Sequence, residues 1–261
     1  MIKNSKYNER INEENHNNQG CLMKIVEYDN NKNVVVEFQD EYKTKLHTTY
    51  DAFKKGIAKN PYYPSVYKVG MLGIKYPSKI NGKNTKEYTA WKNMLKRCFD
   101  EITKIKYPTY KDVICCNEWL YFENFYEWLH SQPNFDKWLD GDKWAVDKDI
   151  LIKGNKIYSP ETCCLVPQNV NKLFLKKENA RGDLPIGVAR NRNGFRAECK
   201  NPLKNNVYIS TTYSTLENAF NTYKAYKEDI IKQVAQIEYT VGNITKKCYE
   251  AMMNYKVEIT D

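Results

Sequence analysis

The chain has 261 residues and carries a formal net charge of +9. Domains usually hold about 100–200 residues, so this length predicts two or three small domains. The positive charge favours a polyanionic partner through counterion release and electrostatic steering, and we expect that partner to be a nucleic acid. No apolar run approaches the ~20 residues of a membrane span, and the polar N-terminus lacks an apolar signal core, so we expect a cytoplasmic protein without a membrane partner.

The chain contains eight cysteines. A cytoplasmic location predicts that most of them are reduced. Two adjacent pairs, Cys115–Cys116 and Cys163–Cys164, lack the C-x-x-C spacing that is typical of zinc knuckles. We therefore interpret them as buried thiols rather than as zinc ligands.

The N-terminal part of the chain has the pattern of a small sheet. Leu22–Tyr28 and Val34–Phe38 are rich in β-branched and aromatic residues and flank the turn cluster 29–33, which predicts a hairpin. Further short strands are expected over 43–48 and 70–74. Together these segments predict a small β-rich domain, SH3-like or barrel-like.

Two helices with large apolar faces are predicted in the middle of the chain. Within Glu87–Cys98, Trp91 and Leu95 are spaced to lie on one helical face. Within Trp119–Trp128 the large apolar residues recur every three positions, which also favours a helix. Both faces are typical of a packed core.

A β-hairpin followed by a helix is predicted in the second half of the chain. Trp144–Ile152 is a predicted strand, 153–156 a turn, and Cys163–Val166 a second extended segment. Proline is tolerated at the first position of a helix, so a helix is predicted from Pro167 through about Lys177.

Three short strands and one helix are predicted after this motif. The strands are 185–189, 194–199 and 206–212, and Asn-rich turns separate them. Ser214 and Glu217 match the S-x-x-E capping box, which predicts the start of a helix there.

These elements predict an α+β fold. The expected divisions are a flexible lead-in (1–20), a small β-rich domain (21–76), a hairpin–helix domain with aromatic helices (84–178), a three-stranded antiparallel sheet packed on one helix (182–235), and a tail with a short helix (236–261).

Basic residues concentrate on the predicted three-stranded sheet. Because alternate residues of a strand share a face, Arg196 and Lys200 project together, while Phe195, Ala197 and Cys199 face the packing helix. A narrow sheet fits the major groove of DNA, and arginine suits bidentate contact with guanine or phosphate. The candidate DNA-binding residues are Arg190 and Arg192 at the hairpin tip, Arg196, Lys200 and Lys204.

The same segment contains, in order, Gly187-Val188, Arg190, Gly194-Phe195, Ala197-Glu198, Tyr208-Ile209, Thr215-Leu216-Glu217-Asn218-Ala219 and Tyr223. This order resembles the plant ethylene-response-factor (Apetala-type) DNA-binding domain, which is also appended to phage and mobile HNH endonucleases. The resemblance implies that the segment binds double-stranded DNA, with the arginines and Lys200 facing it. Phe195 stands where that family usually has Trp, and Ser210 where it has Gly, so no base preference is carried over.

The hairpin–helix segment contains Val146-Asp147-Lys148-Asp149, Pro160-Glu161-Thr162-Cys163-Cys164-Leu165-Val166-Pro167 and Asn171. These stretches resemble a degenerate ββα-metal motif of HNH nucleases, and the regions before them resemble the leader of phage-encoded HNH-like proteins. The resemblance implies that Asp147 and Asn171 are the metal ligands, for Mg²⁺ or Mn²⁺. It places Lys148, beside Asp149, where the general-base histidine belongs, and Thr162 where the central Asn belongs.

The missing base is the main departure from the HNH pattern. The histidines all lie outside the motif, at His16, His47 and His130. A lysine acts as a base only if its pKa falls by several units, whereas the flanking carboxylates of Asp147 and Asp149 would raise it. We therefore interpret the motif as a structural remnant, in which a Lys148–carboxylate pair replaces the cation.

Three hypotheses remain open on the sequence. The first is a DNA-binding protein of a phage or mobile element, related to HNH homing endonucleases and catalytically impaired. The second is an active, divalent-metal-dependent HNH endonuclease. The third is a phage interaction protein that binds and inhibits a host defence or transcription component.

Overall fold

The structure is a computed structural model that describes residues 9–141, 143–175, 182–204 and 206–261. It confirms the α+β class, with several small sheets and helices. Among the residues described, no helix combines the length and the apolar character that a bilayer span requires.

The chain divides into two compact units. The first comprises Met1–Pro108 and Asn117–Tyr126, and the second comprises Thr109–Cys116 and Glu127–Asp261. This division differs from the predicted one, because no boundary falls near residue 76 or residue 180.

The main sheet of the first unit has four antiparallel strands, which pair in chain order: β1 (Glu14–His16), β2 (Leu22–Asn30), β3 (Asn33–Phe38) and β4 (Lys45–Thr48). In β2, Met23 and Ile25 alternate inward and are fully buried, as the period of a strand requires. They pack with Phe53 of the short helix α1 (Tyr50–Lys54). Within the described residues β1 and β4 are the edges of this sheet, so it is open and differs from the expected barrel.

The predicted flexible lead-in is wrong for residues 9–20. β1 pairs with β2, and two asparagine side chains hold the segment in place. The Asn15 amide donates to the carbonyl of Phe53 at 2.8 Å, and the Asn17 amide donates to the carbonyl of Ala58 at 2.9 Å. An asparagine-rich composition favours disorder, but here the Asn15 and Asn17 side chains order the segment by donating to backbone carbonyls. Residues 1–8 lie outside the described part of the chain.

The remaining elements of the first unit are β5 (Lys79–Ile80), β6 (Lys83–Asn84), α2 (Lys86–Phe99), α3 (Glu101–Lys106), 3-10 turns at Pro108–Tyr110 (partly in the second unit) and Asn117–Leu120, and the first half of α4 (Phe122–His130). The segment between the predicted domains 21–76 and 84–178 thus contributes to a small hairpin. The predicted helix 119–128 is interrupted near Tyr121, where Phe122 N–H donates to the carbonyl of Met71 instead of continuing the helix.

An aromatic core joins α2 to the segment that precedes α4. The indole N–H of Trp91 donates to the carbonyl of Trp119 at 2.7 Å, and the Trp91 ring lies 5.4 Å from that of Phe122. All three residues are fully buried. The predicted apolar helix faces therefore do form a core.

The predicted strand 70–74 is wrong, and a buried carboxylate explains why. The Glu123 Oε1 atom accepts the backbone N–H groups of Ile74 and Lys75 at 2.7 and 2.5 Å, and Oε2 accepts the Tyr62 hydroxyl at 3.1 Å. These donors cannot then form a strand ladder. Gly73 has φ +71°, and a Cβ there would overlap the Glu123 carboxyl group, so the loop requires glycine.

In its described residues, the second unit contains three small sheets. The first pairs β7 (Ile114–Cys115) with β9 (Ile157–Tyr158), the second pairs β8 (Trp144–Asp147) with β10 (Cys164–Pro167), and the third is β11 (Val188–Asn191), β12 (Gly194–Asn201) and β13 (Asn206–Ile209). Its helices are the second half of α4, α5 (Phe135–Leu139), α6 (Gln168–Asn171), α7 (Leu216–Thr240) and α8 (Lys246–Met253).

These elements share one hydrophobic core. Val166 of β10, Ala197 of β12, Ile231 of α7 and Met252 of α8 belong to the same buried cluster. The predicted domains 84–178, 182–235 and 236–261 therefore do not have separate cores in this part of the chain. A helix of 25 residues is about 37 Å long, which lets α7 contact both the sheet and the hairpin–helix.

Two helix boundaries also differ from the sequence prediction. α6 ends at Asn171 and continues as a 3-10 turn over Lys172–Phe174, whereas the sequence predicts a helix over 167–177; residues 176–181 lie outside the described part. α7 is capped by Thr215, whose hydroxyl accepts Asn218 N–H, and not by Ser214.

We predict that Glu123→Gln destabilises the first unit by about 2 kcal/mol, because a neutral amide weakens or loses the bonds that a buried carboxylate makes. Urea unfolding followed by tryptophan fluorescence measures the effect. The exposed Glu118 provides the control, since Glu118→Gln should change stability by less than about 0.5 kcal/mol. Equal effects of the two substitutions would contradict the role given to Glu123.

Candidate nucleic-acid interface and nuclease-like hairpin

The register of the three-stranded sheet separates two faces. Val188 pairs with Ala197, and Cys199 pairs with Tyr208, so these residues share the inner face. Val188, Ala197 and Cys199 are buried against α7. Arg196, at an alternate position of β12, therefore lies on the outer face, as predicted.

Gly187 and Tyr223 support this sheet from its inner side. Gly187 has φ +72°, and a Cβ there would overlap the Tyr223 ring. Any side chain at this position would displace the tyrosine from its packing on the sheet. Packing therefore explains why the chain has glycine and tyrosine at these two positions.

The outer face carries a basic centre. Arg196 forms an ion pair with Glu198, with Nε and one terminal nitrogen 2.8 and 2.7 Å from Oε1. Both side chains are 35% exposed, so the guanidinium is oriented by the carboxylate and still reaches solvent. Lys200 is exposed two residues further along the same face as Glu198.

Two apolar residues of β13 complete the outer face. Val207 lies opposite Lys200, and Ile209 lies opposite Glu198. Their exposed fractions are 54% and 53%, so both side chains are open to solvent. We call the surface formed by Arg196, Glu198, Lys200, Val207 and Ile209 the outer patch. Val207 and Ile209 are not among the residues predicted for the site. The sequence signal for them is strand alternation, which places residues 207 and 209 on the same face as their β12 partners Lys200 and Glu198.

Arg190 lies on the other face, which differs from its expected position among the DNA-facing residues. It pairs with Phe195 in the register, its guanidinium carbon lies 5.5 Å from the Phe195 ring centroid, and one nitrogen lies 3.4 Å from Asp183. Ala189 is the partner of Arg196 and shares its outer face. Arg190 is the next residue along β11, so its side chain points to the opposite, inner face.

The other two predicted basic residues lie in turns. Arg192 is exposed in the turn between β11 and β12, where its N–H donates to the Asn191 side chain. Lys204 is exposed after β12, and its N–H donates to the side chain of Asn201 at 3.2 Å. The structure thus brings Arg196 and Lys200 together and leaves Arg192 and Lys204 at opposite ends of β12.

In the nuclease-like hairpin, β8 ends at Asp147 and does not continue to Ile152 as predicted. The Asp147 Oδ1 atom accepts the N–H groups of Asp149 and Ile150 at 2.7 and 2.9 Å, which turns the chain out of the strand. Asp147 lies opposite Cys164 in the β8–β10 register.

The ammonium of Lys148 is part of the same turn. Its Nζ atom donates to Asp149 Oδ1 at 2.6 Å and to the carbonyl of Asn155 at 2.9 Å. The Asn155 amide in turn donates to the carbonyls of Lys148 and Ile157 at 2.8 and 2.7 Å. Lys148 is only 7% exposed, so its charge is satisfied inside the turn and not presented to a substrate.

Among the described residues, the groups around Asp147 do not match the ligand set of a divalent cation. Burial is the largest cause that raises the pKa of Asp147, and the charge of Asp149 raises it further, whereas the N–H groups of Asp149 and Ile150 and the charge of Lys148 lower it. One carboxylate oxygen is already committed to two backbone N–H groups. Within the ranges that the structure describes, no group of three or more His, Cys, Asp and Glu side chains is placed to hold a metal ion. The donor set around Asp147 therefore does not fit the Mg²⁺ or Mn²⁺ site that the HNH resemblance implies.

Asn171 and Thr162 are the other predicted members of the motif. Asn171 is the last residue of α6. The Thr162 hydroxyl donates to the carbonyl of Ile157 at 2.7 Å and so closes the turn before β10. His130, which lies outside the motif, is exposed at the end of α4 and packs against the Phe135 ring, with centroids 3.7 Å apart.

The cysteines of the hairpin lie in an apolar environment. Burial raises the pKa of Cys163 to about 12, and a hydrogen bond with Cys248 together with burial raises the pKa of Cys164. All eight cysteines of the chain are free thiols. Raised thiol pKa values disfavour the thiolate that metal binding requires.

No protein-family model, curated protein or solved structure matches this chain.

The buried carboxyl group of Asp147 makes stability depend on pH. The pKa of Asp147 is raised in the folded state, so the folded protein binds this proton more tightly than the unfolded chain does. The stability of the wild type therefore falls as the pH rises from the ordinary aspartate pKa, about 3.9, to the raised pKa of the folded state. Asp147→Asn keeps the oxygen that accepts both N–H groups and removes the charge. It should therefore gain stability relative to wild type across that pH window and keep the gain above it.

Denaturant unfolding of both proteins at several pH values measures this difference. Asp147→Ala is the matched control, since it removes the acceptor and should be less stable than wild type at pH 7. A stability difference between wild type and Asp147→Asn that does not change with pH would contradict the raised pKa.

Proposed function

We propose that this protein binds double-stranded DNA through the outer patch. The observation that carries the proposal is the placement of Arg196 and Lys200 on one solvent-facing side of a narrow sheet whose other side is buried on α7. Three strands spaced about 4.8 Å apart give a ribbon roughly 10 Å wide. The major groove of B-DNA is about 12 Å wide, which accommodates such a ribbon.

The chemistry of the outer patch supports contact with both the DNA backbone and the bases. Arg196 is held by Glu198 through one side of its guanidinium, which leaves other N–H donors for a phosphate or a guanine edge. Lys200 supplies a second cation. Val207 and Ile209 offer apolar contact of the kind that thymine methyl groups accept.

We further propose that the protein is related to HNH homing endonucleases of phages and mobile elements, with an ethylene-response-factor-like sheet as its DNA-binding part. The support is the sequence order and an element order of three strands and one helix that follows a hairpin and a short helix. The shared core implies that the two parts act as one body within the second unit.

The nuclease-like part is proposed to be catalytically impaired. Lys148 occupies the position of the base, and its ammonium is engaged by Asp149 and Asn155. A group that is charged and hydrogen-bonded in this way cannot accept a proton from water. The hairpin then acts as a scaffold for α7 and for the sheet.

DNA binding is tested with the double variant Arg196→Ala, Lys200→Ala in a fluorescence anisotropy titration on duplex DNA. Loss of two phosphate contacts should weaken binding about tenfold or more and reduce the slope of log affinity against log salt by about 2, because B-DNA releases ~0.9 counterion per neutralised phosphate.

The matched control is Lys156→Ala, Lys246→Ala, which removes two exposed charges from the same unit without touching the outer patch. It should bind nearly as wild type does. Equal losses in both double variants would mean that net charge, and not the outer patch, determines the affinity.

Catalytic impairment predicts that the purified protein does not nick supercoiled plasmid in the presence of Mg²⁺ or Mn²⁺. Nicking that disappears in Asp147→Ala would instead establish an active endonuclease.

The third hypothesis, a host protein partner, is tested by a pulldown after nuclease treatment. Recovery of one host protein in stoichiometric amount, lost in the Arg196→Ala, Lys200→Ala variant, would make the outer patch a protein interface.

A further inference from the structure

A cleft of about 410 Å³ opens in the second unit, away from the Asp147 turn. It lies at the start of β8, whereas Asp147 lies at the end of that strand. Its volume is within the range of about 300–1,000 Å³ that small-molecule sites occupy. The lining side chains used below are Lys137, Lys143, Trp144, Asn169, Glu238 and Asn243.

A buried carboxylate is the fixed element of this cleft. Glu238 is 8% exposed; its Oε1 accepts the Asn169 amide at 2.8 Å and its Oε2 accepts the Asn243 amide at 2.7 Å. The carbonyl of Asn243 accepts the Asn134 amide at 2.7 Å, which holds the loop after α7. A carboxylate offers about four acceptor positions, so each oxygen of Glu238 can accept one further donor.

Two ammonium groups and an indole ring complete the lining. Lys137 Nζ donates to the Asn243 side-chain oxygen at 2.6 Å and remains exposed. Lys143 is exposed, and its carbonyl accepts Gln168 N–H at 2.6 Å, which fixes its backbone beside α6. Trp144 is partly exposed. The two ammonium groups exceed the single carboxylate, so the cleft favours an anion.

We propose that this cleft binds a guanine nucleotide unit. The Trp144 indole stacks on the base, and Lys143 and Lys137 contact the phosphate. The two oxygens of Glu238 accept the N1–H and N2–H groups of guanine. Adenine and cytosine each present a ring-nitrogen acceptor beside a single amino donor, and that acceptor would face the carboxylate. The site therefore prefers guanine, and it is separate from the outer patch.

Isothermal titration calorimetry of the full chain with GMP, AMP, CMP and ribose 5-phosphate tests the proposal. GMP should bind about tenfold more tightly than AMP or CMP, because only guanine pairs with both carboxylate oxygens. Trp144→Leu should weaken GMP binding about fivefold or more through lost stacking, and Lys143→Ala should weaken it as well. Lys156→Ala, which changes an exposed lysine outside the cleft, should leave GMP binding unchanged.

The role of Glu238 has its own readout. Glu238→Gln keeps the size of the side chain and one carbonyl acceptor, so the preference for GMP over AMP should fall towards one. Circular dichroism and thermal unfolding establish that the variant is folded. An unchanged GMP preference in a folded Glu238→Gln protein would overturn the assignment of the carboxylate to the base.

The nucleotide can be free or part of an unpaired strand, and two further titrations separate these sources. A duplex with a single-stranded guanine overhang is compared with the same duplex with a thymine overhang. Tighter binding of the guanine overhang, lost in Trp144→Leu and retained in Arg196→Ala, Lys200→Ala, supports the strand as the source. GMP binding without an overhang effect supports the free nucleotide. The absence of saturable GMP binding and of any guanine dependence overturns the proposal.

Discussion

The second unit depends on the burial of one long helix. α7 contributes Ala219 and Phe220 near its start and Val234 and Ala235 near its end to a single hydrophobic core. A buried aliphatic or aromatic side chain stabilises by about 1.5–3 kcal/mol, and a buried alanine by less, so the packing of this helix dominates the local energetics. Because the inner face of the sheet is used for this core, Arg196 and Lys200 are left facing solvent.

The same helix fixes the position of the cleft around Glu238. Glu238, which lies in the C-terminal part of α7, accepts the amide of Asn169 from α6. One end of α7 therefore supports the sheet, and the other end connects to the hairpin–helix. A mutation that shortens or bends α7 would alter both sites at once, which is a consequence of sharing one core between elements that look independent in sequence.

The cations of this chain have two different physical roles. Lys148 is buried, and its charge is balanced by Asp149 and a backbone carbonyl, so it stabilises a turn. Arg196 and Lys200 remain accessible at the surface, where they can attract phosphate over roughly the Debye length of 8–10 Å. The net charge does not distinguish these roles, because it counts buried and exposed cations equally. Their proposed functions follow from burial and hydrogen bonding.

The sequence by itself determined the α+β class, most strands, and the face on which Arg196 and Lys200 lie, because strand alternation and helical spacing are local properties. The tertiary structure decided three other features. It placed Arg190 on the inner face through the register with Phe195, joined the predicted C-terminal domains through the core of α7, and assembled the cleft around Glu238. Each of these depends on contacts between elements that a local sequence pattern does not encode.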